Sequence, residues 1–216
     1  MGGLGVVLGS GAAGLDPGDG AVVLDRHGDP YTLPHLIDHE ANLQRLQEAG
    51  CDRVLGIASV GGLRPELIPG TFVCPHDFIA LDLPPLTTHA DPKAHRVPGF
   101  DQKWRRRVVS AFASEVDLRS RGVYWQATGP RLETVAEVRL VAPHADVIGM
   151  TVASECIVAG ELGLAYAAIC LVDNLANGVA ATELTLAEVE AAQQAHRAEL
   201  QRVMAAVMPG LSGRLP

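Results

Sequence analysis

Short apolar runs that break off in glycine or in a polar pair recur along this chain, with amphipathic stretches between them. Runs of this kind, rich in branched side chains, mark buried strands, and amphipathic stretches mark helices that cover one face of a sheet. Read this way, strands fall at residues 5–8, 21–24, 53–58, 71–74, 122–126, 146–148 and 165–172. Helices fall at 35–49, 102–115, 134–141, 154–162 and 186–207. Strand-then-helix order predicts an α/β fold, a sheet with helices on both faces, as one domain over residues 1–216. The last helix sets Leu186, Val189, Val203 and Val207 among Glu, Gln and Arg, the pattern of an ordinary solvated amphipathic helix. Residues 83–98 carry four prolines and read as a long loop over a site or an interface.

Composition narrows the function. The 25 acidic residues exceed the 17 Lys and Arg, for a formal charge of −8, against the dense basic surface that duplex nucleic acid requires. Nine aromatics, four Phe, three Tyr and two Trp, are too few for a single-strand stacking platform. A small anion remains compatible, because one pocket can be positive on an acidic protein. Cys51, Cys74, Cys156 and Cys170 lack metal or redox spacing, and three lie in or beside apolar runs, so buried free thiols are expected. The amino-terminal residues lack the pattern of a secretory signal, and no uncharged apolar stretch reaches the ~18 residues of a membrane span. The expectation is a cytoplasmic protein with no membrane partner.

The strand ends are where chemistry is expected, since ligands of open α/β sheets collect there. The first ends in Gly9-Ser10-Gly11, which frees backbone amides and a hydroxyl for an anion or simply makes a tight turn. It is neither a Walker loop, which needs a following Lys, nor a dinucleotide fingerprint, which needs a helix from its third glycine. The second ends in Asp25-Arg26-His27-Gly28, a fork-shaped phosphate donor beside a titratable one, or a solvated turn. The third ends in Ala58-Ser59-Val60-Gly61-Gly62, so Ser10, Arg26, His27 and Ser59 together would form a phosphate-sized nest. Further on come Gly129-Pro130-Arg131-Leu132-Glu133 with Glu137, then Asp146-Val147-Ile148-Gly149-Met150-Thr151. Spacing alone reads Glu133 and Glu137 as a solvated helix face. Asp173-Asn174 directly after an apolar strand marks a specificity site, or a turn or cap. His35 and His39 have helical spacing, read as coincidence and not as a zinc site.

These stretches, in this order over roughly residues 4–178, resemble the trimeric purine nucleoside phosphorylase and methylthioadenosine phosphorylase family. The run from Pro34-His35 to Glu40-Ala41-Asn42 and the Asp173-to-Gly178 segment belong to the same set. The resemblance implies a single-domain three-layer α/β/α fold with a mixed central sheet. It implies a pentosyltransferase that cleaves a purine nucleoside with inorganic phosphate, with no metal and no organic cofactor. Ser10, Arg26, His27, Ser59 and Thr151 would hold phosphate, and Met150 would lie under the ribose. Glu133 and Asn174 match the pair that reads a 6-oxopurine, which favours inosine, guanosine or 5′-methylthioinosine. Asn174, Asp173 and His27 would be the catalytic side chains, with Asp173 either protonated and donating to purine N7 or ionised in a turn.

Five positions depart from the family pattern. Asp29 and Tyr31 follow the Arg-His-Gly run, where a further basic group is usual, and Asp173 replaces a Thr. Leu132 stands where an aromatic commonly faces the base, and Leu186 where a His often meets the ribose 5′-hydroxyl. A hydrolase of the same fold, a methylthioadenosine phosphorylase and an impaired purine-binding protein are the alternatives. The resemblance also implies a homotrimer, with residues 95–98 reaching a neighbour's site.

Overall fold

The computed structural model describes residues 2–18, 20–180 and 184–213. Strand β1 (Gly3–Leu8) is sandwiched in parallel between β2 (Ala21–Asp25) and β3 (Cys51–Gly62). Helix α1 (His39–Glu48) joins β2 to β3, and then come β4 (Phe72–Val73) and β5 (Asp77–Ile79). Next are α2 (Gln102–Phe112), β6 (Leu118–Arg119), β7 (Val123–Gln126), α3 (Val135–Val141) and β8 (Val147–Gly149). Helix α4 (Val152–Glu161), β9 (Ala165–Leu175) and α5 (Leu186–Ser212) complete the chain. The sheet is mixed: β3 runs parallel to β9 but antiparallel to β8, and β4 runs antiparallel to β9.

Two apolar layers cover the sheet, as strand alternation requires. Leu4, Val6, Leu55, Ile57 and Ile169 face α2 and α5, packing on Trp104, Phe112, Val203 and Met204. Val7, Val54, Ala168 and Cys170 face α1 and α4, packing on Leu43, Leu46, Val152 and Cys156. Trp104 satisfies its indole N–H on the Val54 carbonyl at 2.8 Å, which lets a large ring sit fully buried. All four cysteines are buried free thiols, and burial pushes Cys74 up to about 11 and Cys156 up to about 12.

Several expected boundaries move, each for a local reason. Helix α1 starts at His39, because Asp38 caps it by accepting the Ala41 N–H at 2.8 Å, while Pro34–Leu36 is a separate 3₁₀ turn. His35 and His39 are therefore not neighbours on one helix. Strands β5 and β6 have three and two residues, too short for any periodicity to register, and β4 has only two of the four expected. The largest change is in the two central strands. Strand β3 extends past Ala58 to Gly62, and β9 past Val172 to Leu175, through a register shift that pairs Val60 with Val172 but Gly61 with Asn174. Asp173 is the extra residue of this bulge, so Asp173 and Asn174 lie within the strand and not after it.

Candidate active site

Strand β3 changes partner along its length, and the change opens the site. Its first part pairs with β1 as far as Ile57, and its last two residues, Gly61 and Gly62, pair with β8. Between them Ala58, Ser59 and Val60 line a cleft of about 440 Å³ at the carboxyl ends of β1, β2 and β3. Such a switch point is where an α/β sheet offers space and backbone donors to a ligand. Every side chain assigned a phosphate, substrate or catalytic role from the sequence lies on this cleft: Ser10, Arg26, His27, Ser59, Thr151, Met150, Leu132, Glu133, Asp173, Asn174 and Leu186.

The glycines of the first turn are dictated by close packing. A Cβ at Gly9 would stand 2.4 Å from Arg26 Nη1, and one at Gly11 would stand 2.4 Å from Ser59 Oγ. The turn therefore lies against the very groups that would share an anion with it. Gln193 of α5 donates through Nε2 to Ser10 Oγ at 3.3 Å and to Ser59 Oγ at 3.2 Å. Each hydroxyl, having accepted, is free to direct its own hydrogen into the cleft.

Arg26 is buried, and its guanidinium is fixed on three sides. Nε and Nη2 meet the two carboxylate oxygens of Glu155 at 2.5 and 3.0 Å, and Nη1 donates to the Ile57 carbonyl at 3.0 Å. Tyr166 Oη donates to the same carboxylate at 2.5 Å. Burial opposes charge on Arg26, yet the Glu155 carboxylate holds its pKa above the ordinary value. Burial likewise opposes charge on Glu155, and Arg26 prevails there too, so its pKa is lowered. Three of the five guanidinium N–H groups are committed, leaving one on each terminal nitrogen for an oxyanion.

His27 is half-buried, stacked on Tyr31 with ring centroids 4.5 Å apart. Its Nδ1 lies 2.8 Å from the Thr32 carbonyl, which only accepts, so Nδ1 carries the hydrogen and Nε2 holds the lone pair of the neutral ring. Burial lowers the His27 pKa despite that bond. Asp29 is exposed and does not line the cleft, whereas Tyr31 does. Thr151 caps α4 through its backbone position alone, with no side-chain bond to the first turn, so its hydroxyl remains on the cleft at a helix amino terminus.

At the other group of side chains, Glu133 and Glu137 separate sharply. Glu137 closes the capping box of α3 with Thr134 and pairs with Arg131 at 2.7 Å, while Glu133 turns to the cleft. Burial raises the Glu133 pKa. Asn177 holds this segment by donating to the Glu133 carbonyl at 2.8 Å, and its Oδ1 accepts the Leu184 N–H at 2.9 Å just before α5. Gly61 is paired with Asn174 across the bulge, and a Cβ there would lie 3.4 Å from Asn174 Nδ2.

Sequence reasoning missed Glu155, Asn177 and Gln193, and named Tyr31 only as a departure from the family pattern, not as a cleft residue. Asn177 sits in the quoted run after β9, which is the only signal any of those three offered. Among the described residues, no group of three or more His, Cys, Asp or Glu side chains is placed to hold a metal ion. No helix among them is long and apolar enough to cross a membrane. Residues 83–98 do not line the cleft; Thr87 and Thr88 bind Glu161, and Arg96 binds the Gly160 carbonyl, at the far end of α4.

Comparison with known proteins finds relatives over most of the chain. The phosphorylase superfamily model matches residues 12–209. A probable 6-oxopurine nucleoside phosphorylase of Archaeoglobus fulgidus is 38% identical over 205 residues, covering 91% of this chain and 84% of the relative. A probable S-methyl-5′-thioinosine phosphorylase of Pseudomonas syringae pv. tomato is also 38% identical, over 199 residues, covering 86% and 79%. In fold, the chain is similar to methylthioadenosine phosphorylase from Schistosoma mansoni in complex with adenine. That match has a TM-score of 0.83 at 21% identity and covers 99% of this chain and 93% of the other.

Proposed function

The chain belongs to the phosphorylase superfamily, and from that membership we propose that it cleaves a 6-oxopurine nucleoside with inorganic phosphate. The products are the free base and a ribose 1-phosphate. One observation carries the reading: a single cleft gathers the hydroxyls and guanidinium suited to an oxyanion with the Glu133 and Asn174 pair suited to a purine edge. The named relatives act, by their names, on 6-oxopurine nucleosides and on S-methyl-5′-thioinosine.

In this mechanism Ser10, Ser59, Thr151, Arg26 and His27 hold the phosphate beneath the sugar. Neutral His27 accepts a phosphate O–H through Nε2. The glycosidic bond lengthens toward an oxocarbenium-like state, which the bound anion stabilises electrostatically before it attacks the anomeric carbon. Negative charge moves onto the purine, where the Asn174 amide strengthens its hydrogen bonds to N7 and O6. Glu133 accepts from N1–H and fixes the base, and Met150 supports the ribose. Leu132 supplies aliphatic contact in place of stacking. No resident metal or organic cofactor takes part. Leu184, just before α5, joins Leu186 and Val189 in an apolar cluster beside Glu190 and Gln193, and that cluster supports a 5′-methylthio substituent over a 5′-hydroxyl. The active assembly is a homotrimer in which residues 95–98, with Val97 94% exposed, meet a neighbouring copy; light scattering should give three times the chain mass.

Base release from inosine, guanosine, adenosine and their 5′-methylthio forms, with and without phosphate, tests the reading. Release should require phosphate and favour the 6-oxopurines. Full turnover in phosphate-free buffer would reject phosphorolysis.

A further inference from the structure

At the back of the cleft a buried carboxyl faces a partly buried imidazole, and the facing atoms of both are buried without a hydrogen-bond partner. Asp173 is only 2% exposed, yet both its carboxyl oxygens are unpartnered, and so is His196 Nδ1. The two lie 3.7 Å apart, Asp173 on the β9 bulge and His196 on α5. An ionised carboxylate left without partners in such a place is costly, so the pair must hold a proton or close into an ion pair. The strand bulge is what aims this acid at the helix His.

The location supplies the reason. Ser59 from β3, and Gln193 with His196 from α5, are the polar groups around the Asp173 carboxyl. Ser59 and Gln193 also carry the hydroxyl network of the anion end, since Gln193 bridges Ser10 and Ser59. Gly11, Ala12, Ile57, Leu171 and Leu200 close the space between the pair without charge. On its other side His196 meets the backbone at Gly70, where a Cβ would lie 3.4 Å from Nε2. Across the cleft the charged or titratable side chains are Arg26, His27, Tyr31, Glu133 and Glu190.

We propose that Asp173 and His196 form a proton-holding pair that sets the charge behind the phosphate end of the cleft, so that anion binding depends on one proton kept between them. While that proton is present the pair is neutral overall, as carboxylic acid with imidazole or as carboxylate with imidazolium. When it leaves, a bare carboxylate stands behind Ser59, repels an anion, and draws the Ser59 and Gln193 hydrogens away from the cleft. Burial pushes the Asp173 carboxyl above its ordinary range against the pull of Ser59, Gln193 and His196, in keeping with this account. His196 and Asp173 are thus positioning residues that act through Ser59 and Gln193. The inference rests on the phosphorolytic reading in placing an anion at this end.

Sulfate, which does not titrate across the range, is the probe, with binding followed by calorimetry from about pH 5 to about pH 9 in buffers of different ionisation enthalpy. Wild type should take up a proton on binding at alkaline pH and lose affinity by up to about tenfold per pH unit, the limit for one coupled proton. Asp173→Asn should take up less and bind sulfate at high pH more tightly than wild type, because no carboxylate can form. His196→Gln should begin its loss at lower pH, because the acid then holds its proton alone. His27 contributes equally to wild type and Asp173→Asn, so the difference between them isolates the pair. An Asp173→Asn profile that parallels wild type overturns the proposal. So does equal weakening by both variants at every pH, the mark of a merely structural role. Failure of wild type to bind sulfate at all overturns the phosphorolytic reading, and this site with it.

Discussion

Replacing Glu155 by Gln is the sharpest test of how the anion site is held. The side chains of Arg26 and Glu155 are 2% and 3% exposed, so their pair is screened by almost no water. Gln keeps the shape but presents an N–H donor either to Arg26 Nε or to Arg26 Nη2 and Tyr166 Oη, all of which now donate, setting donor against donor. Breaking a buried pair on one side leaves an uncompensated charge, at a cost of about 3–5 kcal/mol. For a chain of this size that corresponds to a fall in Tm of about 6–20 °C. The phosphate KM should also rise, because Arg26 loses the partner that fixes its remaining N–H groups toward the cleft. The pH dependence has a definite sign. Glu155 has a lowered pKa in the folded state, so its contribution is present above the ordinary Glu pKa and is lost as pH falls through the folded value. The stability gap between wild type and Glu155→Gln should therefore narrow on acidification and be widest at neutral pH. Urea unfolding at neutral and acid pH, with phosphate KM measured alongside, reads all three. A neutral-pH difference under about 1 kcal/mol with unchanged phosphate KM would refute the clamp.

Other substitutions separate the two groups of the cleft. Asn174→Asp should shift preference from 6-oxo toward 6-aminopurine nucleosides, read as a change in the kcat/KM ratio of inosine to adenosine; an unchanged ratio removes Asn174 from base recognition. Asn177→Ala loses the bonds to the Glu133 carbonyl and the Leu184 N–H, and should raise the nucleoside KM several-fold while leaving the phosphate KM within about twofold. Gly11→Ala places a methyl 2.4 Å from Ser59 Oγ and should do the reverse, raising the phosphate KM and sparing the nucleoside KM. Trp104→Phe leaves the buried Val54 carbonyl without its 2.8 Å donor and should cost about 1–3 kcal/mol in unfolding with little change in either KM.

The strands with four or more residues were legible from their apolar runs, which in β1, β3 and β9 are almost wholly buried, and the long helices because they cover only one face of the sheet. What periodicity missed was either too short, as in β5 and β6, or bent by geometry that composition does not encode. The β9 bulge is such a case. Val172 and Asp173 look like the end of a strand, because an acid after an apolar run ordinarily returns the chain to water. Here the strand continues, and the acid stays buried because His196 waits some twenty residues further on in α5, a pairing that only the fold creates. The cleft residues read from the strand ends were legible because a parallel sheet delivers its carboxyl ends to one edge.

Helix α5 shows why the rest of the site was not. Its carboxyl-terminal half buries Leu200, Val203, Met204, Val207, Met208 and Leu211 on the sheet, and that stripe alone satisfies the amphipathic reading. Its amino-terminal half has no such anchor, so Gln193 and His196 look like ordinary solvent-facing residues. Yet Arg197 donates to the Ala13 carbonyl at 2.9 Å and Gln201 to the Asp16 carbonyl at 2.6 Å, tying the helix to the loop that follows Ser10. With its far half fixed in the core and its middle fixed to that loop, the near half is held across the cleft at a set height. Gln193 then reaches the two serines and His196 reaches Asp173 without either being part of a local motif. A helix that packs the core with one end can build a polar site with the other, and only the packing of the first end determines where the second one falls.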